Sequence, residues 1–423
     1  MRDDSARRFV EPWYLAYALL GATTAGLVPI LLPLTVSRGH SATEVGLVMA
    51  ALSLGGLTAP LWGGLADQHR LHRWMLAGGL LVTALGLAAF SLVTAPAVWL
   101  GLALIQGIGT AAAATVANLF VVEIHPQAEW DARIGWLQTF YGGGQVGGLF
   151  LAGALGQTHL RLGLLMAAAL AALAVLPGWV STQTPSQLLP TRPVLLHPAR
   201  HGEWAISSPQ RLFHHLTWRG VERMGIALRS PFGLFLASWV LSFSGAAAIF
   251  SLYPVLMEQV FDVYPGRSSW AFGLAAGLGL VLYSPAGRWS GRLGPARVLR
   301  MALGVRLVAC LSLLALGFSR SGGRGWAALL AFVFVVLAWS LLSVSGTALA
   351  AELSPVGEGE GMGLFNAATA VAGVMGSAAG GWIAGRWGYP PALGLAVLGV
   401  GSGLILALGA RPSEGVERVG EMP

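Results

Sequence analysis

The stretch Gly63-Gly64-Leu65-Ala66-Asp67-Gln68-His69-Arg70-Leu71-His72-Arg73 reappears, altered, as Gly287-Arg288-Trp289-Ser290-Gly291-Arg292-Leu293-Gly294-Pro295-Ala296-Arg297, with Gly63 and Gly287 at an offset of 224. A second pair, Glu123-Ile124-His125-Pro126 and Glu352-Leu353-Ser354-Pro355, stands at an offset of 229. At that offset Gly144, Gly147 and Gly156 fall on Gly373, Gly376 and Gly385. Two anchors with nearly equal offsets imply two similarly built halves. Both polar stretches sit between long apolar runs, so each half is read as a set of hydrophobic helices and the stretches themselves as loops.

The composition around them excludes a water-soluble protein. Of 423 residues, 55% are hydrophobic and only 10% charged, with mean hydropathy +0.69; an average soluble domain is about 25% charged. The formal charge of +7 does not point to nucleic acid, because all 25 basic residues are Arg spread through gaps between apolar runs and form no patch. Cys310 is the single cysteine, which excludes intramolecular disulfides and Cys-based metal sites. No His/Asp/Glu cluster, serine triad or nucleotide-binding loop appears, so no enzyme activity, metal or cofactor is expected.

A charge at mid-membrane is costly, so charge-free runs locate the spans. They are 12–37, 45–66, 74–122, 134–160, 162–191, 230–257, 268–287, 301–319, 325–351, 361–385 and 387–410. The third is too long for one span of about 20 residues. Ala95-Pro96 divides it near 74–94 and 97–122, since a helix rarely runs through the residue before proline. Twelve spans result. With the N-terminus inside, the inner segments hold 18 Arg and the outer loops 6 (Arg38, Arg161, Arg267, Arg320, Arg324 and Arg386), with Arg306 within a span. That asymmetry puts both termini in the cytoplasm of an inner-membrane, multi-pass protein. Arg7-Arg8 reads as a positive-inside anchor rather than a twin-arginine signal. The expected organisation is a six-helix bundle over 1–180, a cytoplasmic linker over 181–229 with an amphipathic helix near 210–228, a second bundle over 230–410, and a tail over 411–423.

Twelve spans as 6+6, with Gly63, Asp67, Arg70 and Arg73 after helix 2 and Gly287, Arg292, Gly294 and Arg297 after helix 8, resemble the major facilitator superfamily. The first copy has Gln68 at the usual basic position and Arg70 at the usual Gly; in the second Gly291 replaces the acid. The resemblance covers essentially the whole chain and implies an all-α fold of two pseudo-symmetric six-helix bundles that rock around a central cavity. Within it, Asp67 is expected to face the N-terminus of helix 11 and bias the conformational equilibrium. Arg70 and Arg73 are expected to pair with Glu123, and Arg292 and Arg297 to lie near Glu352 with Glu129 or Asp131 within reach. Arg133 completes the gating set. Gly135-x8-Gly144-x3-Gly148 resembles the helix-5 signature of drug/proton antiporters, with Leu149 and Ala152 where that signature has Pro and Gly. Its mechanical reading is close helix approach through small faces.

The cavity is expected among helices 1, 4, 7 and 10, flanked by 2, 5, 8 and 11. The candidates are Tyr17, Thr24, Gln106, Thr110, Gln138, Tyr141, Gln145, Trp239, Ser242, Tyr253, Trp339, Ser343 and Asn366. These aromatics and amides suit a lipophilic or amphipathic solute; a phosphate or carboxylate substrate would call for Arg or Lys at depth. Arg306 is read as snorkelling to the headgroups. Helices 1, 4, 7 and 10 carry no deep acid, so a proton would have to use Asp67, Glu123 or Glu258. The expected function is secondary transport by a monomer embedded in membrane lipids, exporting small molecules against protons. The alternatives are a facilitator or symporter for a neutral nutrient such as a sugar, and a membrane sensor without turnover.

Overall fold

A computed structural model describes residues 10–69, 71–125, 129–155, 159–181, 225, 228–319, 323–355 and 358–409. The expected linker, including its amphipathic helix, falls almost entirely outside the described residues, and the tail wholly so. The described chain forms twelve long helices: α1 (Tyr14–Ser37), α2 (Ala42–His69), α3 (His72–Leu92), α4 (Pro96–Ile124), α5 (Trp130–Leu155), α6 (Leu160–Ser181), α7 (Pro231–Phe261), α8 (Pro265–Leu293), α9 (Pro295–Phe318), α10 (Arg324–Leu353), α11 (Glu358–Trp387) and α12 (Tyr389–Gly409). Among the described residues eleven are long and apolar enough to cross a membrane. The twelfth, α5, is as long but diluted by glycine and by Gln138 and Gln145.

Local chemistry sets the helix starts. Proline opens α4, α7, α8 and α9, where its missing N–H costs nothing. Ser41 and Glu44 form a reciprocal capping box at the head of α2. The Ala95-Pro96 division of the long run is correct: α3 ends at Leu92 and α4 begins at Pro96. The reading of Gly63–Arg73 and Gly287–Arg297 as loops is not. Helix α2 continues to His69 and α8 to Leu293, and the next helices begin at His72 and Pro295, so that Gly294 alone separates α8 from α9. Gly294 makes the second turn at φ +84°, a conformation glycine adopts without strain.

Glycine lets α1 and α5 touch. A Cβ on Gly144 would lie 1.8 Å from the Ala18 carbonyl oxygen, and one on Gly148 2.1 Å from that of Ala22. Here α1 is broadened by a π-helical turn over Ala22–Leu27. In the second half Gly376 meets Ser244 O at 2.1 Å and Gly380 meets Ala248 on α7. By contact, Gly144 and Gly148 therefore correspond to Gly376 and Gly380. The offset of 229, which puts Gly144 on Gly373 and Gly147 on Gly376, is three residues out at this level. It holds where α4 and α10 end, at Ile124 and Leu353. Matching letters fixed the ends, whereas the closest backbone approach fixes the equivalent glycines.

The halves meet through α2 against α11 and α5 against α8. Thr43 Oγ1 donates to Gly381 O at 3.4 Å, and a Cβ on Gly46 would stand 2.6 Å from Gly381 Cα. Trp270 Nε1 donates to Phe150 O at 3.2 Å. These contacts gather toward the face that bears Arg38 and Glu258. Toward the opposite face, where Arg73, Arg133, Arg292 and Arg297 lie, Gln138, Thr347 and Asn366 are exposed within the helices. Among the described residues the halves are thus closed on the Arg38–Glu258 face, and these three side chains stay exposed toward the arginine-rich one.

Candidate functional site

The site is the space between the halves, and its two walls differ chemically. The first half supplies a hydrogen-bonded wall. Gln138 Nε2 donates to Asn118 Oδ1 at 3.4 Å, Asn118 Nδ2 to the Tyr17 hydroxyl at 3.4 Å, and the Tyr141 and Thr24 hydroxyls lie 3.3 Å apart. The Tyr17 and Tyr141 rings are 5.0 Å apart between centres. Thr110 reaches Thr83 at 3.4 Å. Beside this wall a cavity of about 190 Å³ opens among α1, α2 and α4, lined by Thr24, Ser53, Gln106 and Thr110 with apolar neighbours. Gln106 is fully buried, and neither its amide oxygen nor its nitrogen has a hydrogen-bond partner. A buried amide left in that state costs about 1–3 kcal/mol.

The second half supplies an aromatic wall. Trp239 lies 4.6 Å from Phe365 and 6.2 Å from Phe243 and from Trp339, centre to centre. Its Nε1 donates to Thr369 Oγ1 at 2.8 Å, tying α7 to α11. Phe235, Trp239 and Phe243 follow at intervals of four on α7. That stripe was available to sequence reading, which named only Trp239 from it; Thr369, Phe365 and Ser53 were missed.

Several expected residues lie elsewhere. Ser242 is buried against Gly403 of α12 and bonds back to Trp239 O. Tyr253 is buried in a cluster with Phe272 and Phe332, its hydroxyl donating to Ser268 O at 2.8 Å. Both pack helices together rather than face the space between halves. Ser343 bonds to Ser340 O and Gln145 is half-buried on α5, whereas Asn366 is one of the side chains exposed toward the arginine-rich face.

Of the gating set, Arg70 and the side chains of Asp67 and Glu123 lie outside the described residues. Arg73 lays its guanidinium 3.9 Å over the ring of Trp179. Arg292, Arg297 and Glu352 are exposed and form no ion pair among the described residues. Arg133 is buried and bridges Glu11 at 2.7 Å and Glu129 at 2.9 Å. Glu11 also receives Trp13 Nε1 at 2.7 Å and stands 2.7 Å from His125. This cluster binds the segment before α1 to the α4–α5 connection. Burial holds the His125 imidazole below the ordinary histidine value, against the opposing pull of Glu11.

Arg306 does not snorkel. It is 1% exposed, and its guanidinium turns toward α10, with Nη2 3.5 Å from Val335 O and Cζ 5.9 Å from the Trp339 ring centre. The side chain is enclosed by protein and reaches no headgroup. Sequence reading identified Arg306 as the charge within a span but gave it no protein neighbours; the structure sets it against Val335 and Trp339 of α10.

On the closed face Arg38 and Glu258 pair at 3.3 Å across the two halves. The pair is partly exposed, so it contributes up to about 1 kcal/mol. Arg38→Ala is expected to shift the balance between closed and open forms of this face by at most about fivefold. Reactivity of a cysteine at Ala271 of α8 toward a membrane-impermeant thiol reagent would read that shift; unchanged reactivity would deny the pair any latch role.

Residues 13–358 match the family described as Major Facilitator Superfamily. No curated protein matches the sequence. Among solved structures, the nucleoside transporter NupG superposes with TM-score 0.71 at 15% identity, covering 94% of this chain and 96% of that one. A D-xylose-proton symporter gives TM-score 0.69 at 14% identity, covering 93% and 95%. A bacterial homolog of the human lysosomal transporter Spinster, in an inward-facing and occupied conformation, gives 0.67 at 14% identity, covering 97% of each. At these identities the likeness is one of fold.

Proposed function

This chain belongs to the Major Facilitator Superfamily and is a transporter, and on that premise we propose that it exports lipophilic or amphipathic small molecules in exchange for protons. The observation that carries this reading is the aromatic cluster in which buried Trp239 and Phe365 back half-buried Phe243 and Trp339, on helices whose Thr347 and Asn366 are exposed toward the arginine-rich side. By the inside bias of arginine that side is cytoplasmic, so a monomer in the inner membrane loads its substrate from within. Glu258, on the opposite face, pairs with Arg38 across the halves, and a proton taken up there from outside would need a second acid, Asp67 or Glu123, to leave on the cytoplasmic side. Asp67, Arg73, Arg133, Arg292 and Glu352 act at the cytoplasmic ends. Asp67→Asn is expected to slow transport while leaving substrate binding largely intact; equal loss of both would remove Asp67 from the gate.

A second reading, a facilitator or symporter for a neutral solute, is favoured by the unpartnered amide of Gln106 beside the Thr24, Ser53 and Thr110 hydroxyls. The two are separated in proteoliposomes holding a pH-sensitive dye. Lipophilic compounds that move protons support export by exchange. Labelled solute flux with no dye response supports a facilitator.

A further inference from the structure

Arg306 sits near the midpoint of the 24-residue α9, at the level where a charge is most costly. A guanidinium has five N–H donors and does not lose its proton. Here one donor makes a long contact to Val335 O, and Nε has no acceptor. The chain supplies no counter-charge at this depth: from Val263 to Ala351 it contains neither Asp nor Glu. Among the described residues Arg306 takes part in no ion pair. Burying a charge with only one long hydrogen bond and the Trp339 ring face to meet it is unfavourable, so retaining this one calls for a compensating role.

Its position suggests that role. The guanidinium lies 5.9 Å from the centre of the half-buried Trp339 ring, which in turn lies 5.5 Å from half-buried Phe243 and 6.2 Å from buried Trp239. One aromatic ring intervenes between the charge and the Phe243 ring of α7, and in a protein interior such a field is weakly screened. An aromatic wall alone attracts cations through its ring faces. With Arg306 behind it, the wall repels them. We propose that the space between the halves selects amphipathic organic anions, with an apolar body against Phe243 and Trp339 and one negative charge held in the field of Arg306. Arg306 is a specificity-determining residue that acts at a distance rather than by contact. The inference rests on the reading of the space between the halves as the substrate site.

The test is equilibrium binding to the full-length protein in nanodiscs, using three probes with one ring system: 2-naphthoate, 2-naphthamide and 2-naphthylmethylammonium. The wild type is expected to bind naphthoate at least about tenfold more tightly than the ammonium. Arg306→Met is expected to erase that preference and leave naphthamide within about twofold; Arg306→Lys is expected to keep it. Equal wild-type affinity for anion and cation overturns the proposal without recourse to any variant. So does a preference that survives in Arg306→Met. Failure of all three probes to bind overturns the reading of the cavity as an amphiphile site, and this proposal with it.

Discussion

Gly144→Leu is expected to collapse the yield of folded protein and to lower the melting temperature of what remains by about 5 °C or more. A Cβ at this position meets Ala18 backbone at 1.8 Å, and backbone cannot swing aside as a side chain can. Helices α1 and α5 must separate, with a cost at or above the roughly 1–3 kcal/mol of ordinary overpacking. Their separation also dismantles the hydrogen-bonded wall, because Thr24 and Tyr141 meet across that seam. The control is three residues away. Gly147 has nothing within 4 Å of its would-be Cβ, and leucine is a better helix former than glycine. Gly147→Leu is expected to leave melting unchanged or to raise it. Similar losses in both variants would mean that α5 tolerates no bulk anywhere, and the seam with α1 would lose its special standing.

Trp239→Ala is the second large effect. The indole joins α7 to α10 and α11, packed on Phe365 and against the Gly346 backbone, where a Cβ would come within 2.6 Å of the ring. Deleting a buried ring of this size costs about 3–5 kcal/mol, and it removes the support behind the half-buried Phe243 and Trp339 rings. Binding of a naphthyl probe is expected to weaken at least about tenfold. Trp239→Phe separates the two roles. It keeps a ring but gives up the bond to Thr369, whose hydroxyl retains its own acceptor at Phe365 O. Its stability cost is expected near 1 kcal/mol, with binding largely kept. If Trp239→Ala binds the probe as the wild type does, the aromatic wall is not where substrate sits.

The parts of the fold that sequence reading captured are those governed by local rules. Helix number followed from charge-free runs, and the split at Ala95-Pro96 followed from proline sterics. The paired ends at Ile124 and Leu353 followed from matching letters. What it missed depends on direction and partners. Ser242 and Ser343 are the same residue type on helices expected to line the cavity, yet Ser242 turns to Gly403 on α12. No spacing argument on one helix distinguishes them. Arg306 looked free to snorkel because a single helix does not reveal that Val335 and Trp339 of the next one enclose it. Glu11 and His125 lie far apart in the chain, so their meeting at Arg133 was not legible. The stretches around Asp67 and Gly291 were read as loops because they are polar, but helices can carry polar ends beyond the membrane.

The central claim is that the two halves exchange between a state closed at the Arg38–Glu258 face and one closed at the arginine-rich face. It is tested most directly by spin-label distances in nanodiscs, with buried Cys310 replaced by alanine. One pair of labels stands at Gly39 and Tyr264, in connections of opposite halves on the closed face. The other stands at Trp74 and Leu293, toward the arginine-rich face. The account predicts a short distance for the first pair and a long one for the second in the resting protein. Substrate or acidification should then populate a second state in which the first lengthens as the second shortens. Distances in both pairs that stay fixed under every substrate and pH, in protein that binds substrate, would contradict it.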